Sequence, residues 1–585
     1  TASVGFPKPP LFVYTLALPL AVTCDPRVVT GFLGALAALA AGGFYLALQP
    51  RMGRKAAAGA TLLFAFNPQA VLHARKLFTA DLLPPLSALF FWASLNLLDA
   101  PARRGGRAAI LAAFSFALLL LTTFSPLIFA PVLVFAFWRR RSDLTSRAWL
   151  GALAALGLPF VPYLIAIRSD IVALLTALFT NAQRGTSAAA STFSTPPLAR
   201  WMLNLLWGTS YLPGWLGWTV GLTLAGAALV GAAWLIWAAW RQGADWARVI
   251  LIWVGLCPLL MLGVFFVTPV QMQAHYLVVL YPVIFALPGA AVAVVDRRSS
   301  RWGRAALLLL VGVAVWSFAF WGDTLEDVAR GVEGYGTPLG YWHRAAKRAR
   351  DLAAEHDAEV LAYLPGDQPW DEKAAIFDAL LCDTPHRVVN GFTTVVLPSH
   401  PAVFLIASDV ESSLALVSPC TRDLDTRLAA SPFGGAYTYR LWTPESSIQA
   451  CLDLTPAEGV WASGARLLGY AIEGTPEPGA TLHVTLAWEA TRGPVDVDIH
   501  WFNHLMDADG QRRGQFDGAP WLGERWRAGD RVLWRFDLPI ADDAPPPPYV
   551  LRVGQYTYPD FEGIPVVDDA GAPQSDAVEI QLVAP

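Results

Sequence analysis

The chain has 585 residues, 55% hydrophobic and 15% charged, with 24 Trp and 31 Phe, and a mean hydropathy of +0.43. Soluble globular chains carry roughly 25% charged and 45–50% apolar residues, so the composition excludes an ordinary soluble enzyme, a disordered chain, collagen and a small disulfide scaffold. The net charge of −4 conceals two unlike parts: through Trp321 there are 23 Lys and Arg against seven acids, all Asp, and beyond it 19 basic against 39 acidic residues. These balances of +16 and −20 predict a basic membrane domain over 1–321, then an acidic soluble region that disfavours nucleic acid as a partner.

In chain order, apolar stretches near the length of a bilayer crossing fall at about 27–49, 55–73, 79–98, 107–122, 124–138, 148–167, 217–240, 249–267, 275–295 and 304–321. The pair 107–122 and 124–138 reads as a hairpin. Alternate loops are basic: Arg51, Arg54 and Lys55; Arg103, Arg104 and Arg107; Arg139, Arg140, Arg141 and Arg147; Arg241 and Arg248; Arg297, Arg298, Arg301 and Arg304. Lys and Arg collect on the cytoplasmic side. The sequence therefore predicts that residues 1–26 lie outside, that the chain crosses the cell membrane ten times, and that the acidic C-terminal region is extracytoplasmic. Thr1 is not an initiator Met, and a chain that begins outside needs delivery there. The expectation is an N-terminal truncation that removes a first helix.

The outer segments hold the chemistry. The first is Gly5-Phe6-Pro7-Lys8-Pro9-Pro10-Leu11-Phe12, whose prolines fix an extended turn at the membrane surface. The second runs Asn67-Pro68 through His73, Arg75, Lys76 and Asp81 to Pro84-Pro85. The third opens a crossing with His275-Tyr276-Leu277 and continues to Tyr281-Pro282. A long outer loop, Arg168 to about Leu216, includes an amphipathic stretch, Trp201 to Trp207, at interfacial depth. That loop reads equally as a gate over a lipid-facing cleft and as a surface segment without such a role.

KPPLF, then NPxxVxxxRKxxxxDLLPP, then HYLxxLYP, in that order and on one side, resemble the bacterial relatives of protein O-mannosyltransferases, which include the lipid A aminoarabinose transferases (glycosyltransferase family 39-like). The resemblance covers about residues 5–320. It implies a polytopic GT-C-like membrane domain, a polyprenyl-phosphate sugar as donor, and inverting transfer to an extracytoplasmic glycan, lipid or protein acceptor. It places the main catalytic base in an outer loop ahead of the KPP-like segment, upstream of Thr1, so that this chain by itself is expected to be inactive. Asp81 matches the supporting acid, Lys8 the basic residue that approaches the donor phosphate, and Arg75 the basic position of the second outer segment.

The residue chemistry agrees in kind. A lipid-phosphate leaving group needs stabilisation of negative charge, which Lys8, Arg75, Lys76 and His275 can supply. A carboxylate at a helix start, such as Asp81, can orient an acceptor or a basic partner. Each residue also has a plainer reading. Arg75 and Lys76 fit as snorkelling side chains, Asp81 as a helix-start charge, His275 as an interfacial ring, and His73 as a helix-end residue. No cofactor is required by these residues; a divalent metal is compatible with them.

Residues 322–445 alternate helix and strand and predict a small α/β module: helices over Tyr341–Glu355 and Lys373–Leu381, strands over Glu359–Leu364, Arg387–Val389 and Ala402–Ile406. No glycine-rich phosphate loop is present there. Residues 446–585 predict a β-sandwich, with period-two runs at 482–488, 495–501, 531–538 and 549–556. Trp488, Trp501, Trp526 and Trp534 fit the sandwich core better than a sugar-stacking role. Asp496, Asp498, His500 and His504 read as a solvated polar face rather than a metal site. Cys382, Cys420 and Cys451 fall outside, where disulfides form, and the sequence does not choose a pairing. Two classes of function remain: a membrane glycosyltransferase, and a non-catalytic polysaccharide-transport or envelope-assembly protein with a sugar-binding ectodomain.

Overall fold

The computed structural model describes residues 9–75, 79–168, 214–267, 278–330, 337–368, 371–445 and 453–582. They form two units that meet in the chain at Asp327 and Val328.

The first unit is helical. Its long elements are α1 (Leu11–Leu20), α2 (Pro26–Met52), α3 (Arg54–Ala65), α4 (Pro68–His73), α5 (Leu83–Asp99), α6 (Ala102–Leu120), α7 (Ala130–Arg140), α8 (Ser146–Gly157) and α9 (Val161–Ala166). After them come α10 (Gly214–Arg241), α11 (Asp245–Leu251), α12 (Cys257–Val267), α13 (Ala286–Arg298) and α14 (Ser300–Arg330). Among the described residues six helical segments are long and apolar enough to cross a membrane: Pro26–Met52, Thr79–Asp99, Ser146–Ala166, Trp215–Arg241, Asp245–Gly263 and Ser300–Asp327. The other four expected crossings coincide with shorter or more polar helices. The stretch at 55–73 is divided by Asn67-Pro68, because the residue before a proline is disfavoured in helix. The stretch at 107–122 is one helix, α6, whose first turns carry Arg103, Arg104 and Arg107. The 11 residues of α7 and the 13 of α13 span roughly 17–20 Å at about 1.5 Å per residue.

The helices meet through aromatic rings and small residues. Phe129 stacks on Trp253 at 3.9 Å, and Phe90 and Phe91 pack on the same indole. A Cβ on Gly289 of α13 would lie 2.7 Å from Ala60 Cβ and 2.8 Å from Ala56 O of α3. The absent side chain is what allows this close helix approach. At the end bearing the basic loops, Lys55 pairs with Asp296 at 2.6 Å, Asp245 with Arg139 and Arg248 at 2.7 Å each, Asp143 with Arg140 at 3.1 Å, and Arg51 with Asp99.

The second unit is rich in β-structure. Two helices, α15 (Leu339–His356) and α16 (Glu372–Leu381), accompany a five-stranded sheet of order β2-β1-β4-β6-β5. Its strands are β1 (Glu359–Leu364), β2 (His386–Asn390), β4 (Ala402–Ala407), β5 (Arg422–Ala429) and β6 (Ala436–Trp442). Strands β1 and β4 are parallel and buried at every residue, as continuous apolar strands covered on both faces must be. A seven-stranded sheet has order β16-β15-β7-β8-β9-β12-β3. It contains β3 (Thr394–Leu397), β7 (Thr455–Trp461), β8 (Ala465–Glu473), β9 (Thr481–Ala490), β12 (Arg531–Pro539), β15 (Val566–Val567) and β16 (Pro573–Ser575). A third sheet runs β11-β10-β13-β14, with β17 also on β13. Its strands are β10 (Asp498–Met506), β11 (Arg512–Gly518), β13 (Tyr549–Tyr558), β14 (Gly563–Ile564) and β17 (Ala577–Leu582).

The regions on either side of residue 445 share hydrogen bonding. Strand β3, from the first, pairs antiparallel with β12 of the second. Beside that junction Arg387 is buried between Glu359 and Asp530, and Arg527 reaches Glu359 at 2.6 Å. Four Trp residues belong to the core: Trp488, Trp501 and Trp526 are wholly buried and Trp534 nearly so. Their rings lie against one another, Trp488 5.3 Å from Trp501 and 5.0 Å from Trp526.

Candidate functional site

The site lies where α2 and α5 begin and α3 and α4 end. Asp25 caps α2, accepting from Arg27 N at 2.9 Å, and its carboxylate also pairs with the Arg27 guanidinium at 2.6 Å. Helix α3 stops at Phe66. Asn67 then caps α4, its side chain accepting from Gln69 N at 2.9 Å and Ala70 N at 3.1 Å, with Pro68 in the first turn where a missing N–H costs nothing. Six residues later α4 ends at His73. The chain re-enters as a 3₁₀ turn, Thr79–Leu82, and Pro84-Pro85 start α5.

These two turns bring His73 Nδ1 to 2.8 Å from Asp81 Oδ1, with both side chains buried. A buried carboxylate requires a compensating partner, and the imidazole is one. The six described acids of the first 321 residues all have basic partners, and only Asp81 is held by a histidine.

Asp81 also lines a cavity of about 440 Å³, together with Arg27, Thr30, Gly31 and Gly34 of α2, Ala70, Val71 and Arg75 around α4, and Pro84 and Pro85 of α5. His73 is behind Asp81 rather than on the lining, so it holds the carboxylate that the cavity sees. Two guanidinium-bearing residues and the N-terminal end of the long helix α2 border one pocket. Helix N-termini and arginines both favour an anion.

Described residues of all three sequence motifs meet around this cavity. Phe12 of the KPPLF segment packs with Leu33 of α2 and with Leu82, the neighbour of Asp81. The backbone N–H of Leu11 donates to Leu121 O at 3.1 Å and ties the start of α1 to the end of α6. Tyr281 of the third motif meets Phe64, a cavity residue, edge-on at 6.5 Å, and Ser87 of α5 donates to Val279 O at 3.3 Å.

Of the residues singled out from the sequence, Asp81 and Arg75 stand on the cavity. Lys8, Lys76 and His275 lie outside the described residues, as does most of the loop from Arg168 to Leu216. Sequence reasoning passed over two members. His73 reads in sequence as a helix-end residue, and Arg27, in the first turn of α2, carries no motif signal. The available signal was that an acid at an apolar boundary needs a partner, and His73 is the ionisable ring eight residues away. In the second unit, His500 Nε2 is 3.7 Å from Asp498, and His504 Nε2 is 3.5 Å from Asp517. Each histidine thus faces one carboxylate on the sheet surface.

Comparison with known proteins gives limited likenesses. No protein-family model matches the chain. Among solved structures it resembles ArnT from Cupriavidus metallidurans, bound to undecaprenyl phosphate, with TM-score 0.47 and 14% identity, covering 74% of this chain and 87% of that one. The apo state of the same protein gives 0.45 and 15%. The Archaeoglobus fulgidus oligosaccharyltransferase, in complex with Zn and sulfate, gives 0.40 and 12%, covering 97% of this chain and 90% of that one. A UPF0060 membrane protein from Arthrobacter sp. (strain FB24) is 37% identical over 102 residues, 16% of this chain and 86% of that protein. Through that segment alone the chain belongs to the UPF0060 membrane proteins, a membership that names no activity.

Proposed function

We propose that the chain is an integral membrane glycosyltransferase that takes a sugar from a polyprenyl-phosphate donor and passes it to an extracytoplasmic acceptor. The observation that carries this reading is that described residues of three distant motifs gather around one cavity lined by Arg27, Arg75 and Asp81, with His73 buried against Asp81. In such a reaction the bond between the anomeric carbon and the phosphate oxygen breaks, and the acceptor oxygen or nitrogen bonds to that carbon. The negative charge left on the lipid phosphate is what Arg75 and the N-terminus of α2 are suited to stabilise. Asp81, fixed by His73, orients the acceptor or takes up its proton. His73 acts through Asp81 and is a positioning residue.

The apolar walls are equally in keeping with the donor. Gly31, Gly34, Ala37 and Ala38 leave a smooth face on α2 toward the pocket, and an isoprenoid chain needs an apolar surface reached from the bilayer. The cell membrane is the proposed location, with the C-terminal unit outside. Disulfide bonding at Cys382 and Cys420 accords with that side, because disulfides persist in oxidising compartments. The acceptor is a glycan, lipid or protein.

The test is release of polyprenyl phosphate and transfer of label from a radiolabelled polyprenyl-phosphate sugar by the full-length protein in nanodiscs, with envelope extract as acceptor. Asp81→Asn is expected to lower kcat by on the order of 100-fold, the usual loss of one general acid–base or charge-stabilising group. Arg75→Ala is expected to act mainly on donor KM. Transfer that is unchanged by both substitutions removes the site assignment, and a protein that neither binds nor turns over the donor removes the reading itself.

A further inference from the structure

The third sheet carries a surface that the transfer reaction does not use. On β10, Ile499 and Trp501 point into the core, which sends Asp498 and His500 to the outer face. Across the antiparallel ladder Asp498 is opposite Tyr558 and His500 opposite Tyr556, so these four share that face. The ladder then turns: Phe561 N donates to Thr557 O at 2.8 Å, Thr557 N to Glu562 O at 2.9 Å, and Glu562 N to Thr557 Oγ1 at 3.3 Å.

Two aromatic rings are left to solvent in this corner. Phe561 is 68% exposed and Tyr558 46% exposed. Neither is a loose side chain. Tyr558 stacks on His500, with centroids 4.7 Å apart and planes 20° apart, and Phe561 stacks on Tyr556 at 5.7 Å and 15°. The two exposed rings meet edge to face at 5.6 Å. Each is thus backed on one face and open on the other. Phe561 has φ +58°, the left-handed region that a bulky aromatic residue rarely adopts. The turn holds an apolar ring in water at a backbone conformation that glycine would adopt without strain, a combination that folding does not require and that is typical of functional sites.

We propose that this corner is a glycan-binding platform for pyranose rings with equatorial substituents, uncharged or aminated. Such rings expose an apolar C–H face to an aromatic ring and a belt of hydroxyls to hydrogen-bonding neighbours. The pre-stacked rings supply the first at little entropic cost. Asp498, Asp560 and Glu562 supply acceptors and a negative field, which admits neutral and cationic sugars and disfavours uronates. The platform is independent of the His73–Asp81 cavity, and its rings, unlike the four core Trp residues, are open to solvent.

The test is binding of cellohexaose by the intact protein in nanodiscs, measured by calorimetry and by saturation-transfer NMR. Saturable binding is expected, as is binding of the glucosamine hexamer. Tyr558→Ala and Phe561→Gly should each weaken it at least tenfold. Phe561→Gly should also unfold at the same temperature as the parent or higher, because glycine takes the positive φ freely, which separates a contact role from a folding role. No saturable binding of either hexamer at millimolar concentration overturns the proposal. So does binding that both substitutions leave unchanged, or a glucuronate-containing hexasaccharide that binds as tightly as cellohexaose. Self-association abolished by Phe561→Gly, with glycan binding unaffected, would assign the corner to a second copy of the chain instead.

Discussion

Single residues in this protein owe their roles to a partner that is distant or easily overlooked in sequence. Asp81 is a surface-type residue by identity and a buried one by position, and His73 is the reason it can be both. His73→Leu, which fills the volume but removes the ring nitrogen, is expected to lower transfer about as far as Asp81→Asn. His73→Gln, which keeps a donor, should recover part of it, as measured by kcat at fixed donor. In the second unit His386 makes a comparable pair between a half-buried ring and an exposed carboxylate, with Nε2 3.2 Å from Asp378 and Nδ1 2.8 Å from Thr384 O. Burial of the ring favours its neutral form, but the hydrogen bonds and the Asp378 charge outweigh it, and the His386 pKa is raised above 6.5. The same hydrogen bond lowers Asp378 below 3.8. The histidine contribution is present below about pH 6.5 and fades as pH rises through the raised value. The aspartate contribution is present above about pH 3.8 and fades as pH falls through the lowered one. The melting-temperature difference between the parent and His386→Gln should therefore be largest between these limits and shrink above neutrality; a difference that grows toward pH 9 would contradict the pairing.

Elements are set by punctuation and by what can approach them. Asn67-Pro68 cuts one apolar stretch into α3 and α4, and that cut creates the turn on which His73 and Arg75 sit. Gly289 lets α13 lie against α3, where a Cβ would meet the Ala56 carbonyl and Ala60 within 3 Å. Gly289→Leu is expected to destabilise the helical unit by about 1–3 kcal/mol or more through overpacking. Gly42→Leu, on α2 with nothing within 4 Å, should be neutral or mildly stabilising. Thermal unfolding of the two variants in one detergent decides the point, and equal melting temperatures would show that the close approach is not what orders these helices. In the sandwich, Trp501→Ala removes a ring that touches Trp461, Trp488 and Trp534. The expected cost is about 3–5 kcal/mol, as for a large buried aromatic.

At the scale of the whole chain, charge is the organising quantity. The end of the helical unit that bears Arg51, Lys55, Arg139, Arg140 and Arg248 also holds their Asp partners, whereas Asp81 and its cavity occupy the other end of α2, α3 and α5. Basic loops belong to the cytoplasmic side. The cavity and the acidic C-terminal unit are then both expected outside. Protease added to intact spheroplasts should cleave the C-terminal unit and leave the loop at Arg103–Arg107 protected; the reverse pattern would invert the topology.

Much of the architecture was legible because its signals are local. Hydropathy and loop charge located the helical region, and period-two runs located β9, β12 and β13. The helices near Tyr341 and Lys373 and the fully apolar strands β1 and β4 were readable for the same reason. What stayed hidden depends on contacts between remote positions. Strand β3 is four residues long and identifiable only by its pairing with β12. Arg27 and His73 become site residues only when helix ends gather, and the rings of Tyr558 and Phe561 acquire meaning only through the rings behind them. The sequence by itself determined which segments avoid water and which loops carry the positive charge, because transfer free energy and charge are properties of the segments. The tertiary structure alone decided which polar groups share a cavity or a surface, because that depends on how the segments approach one another.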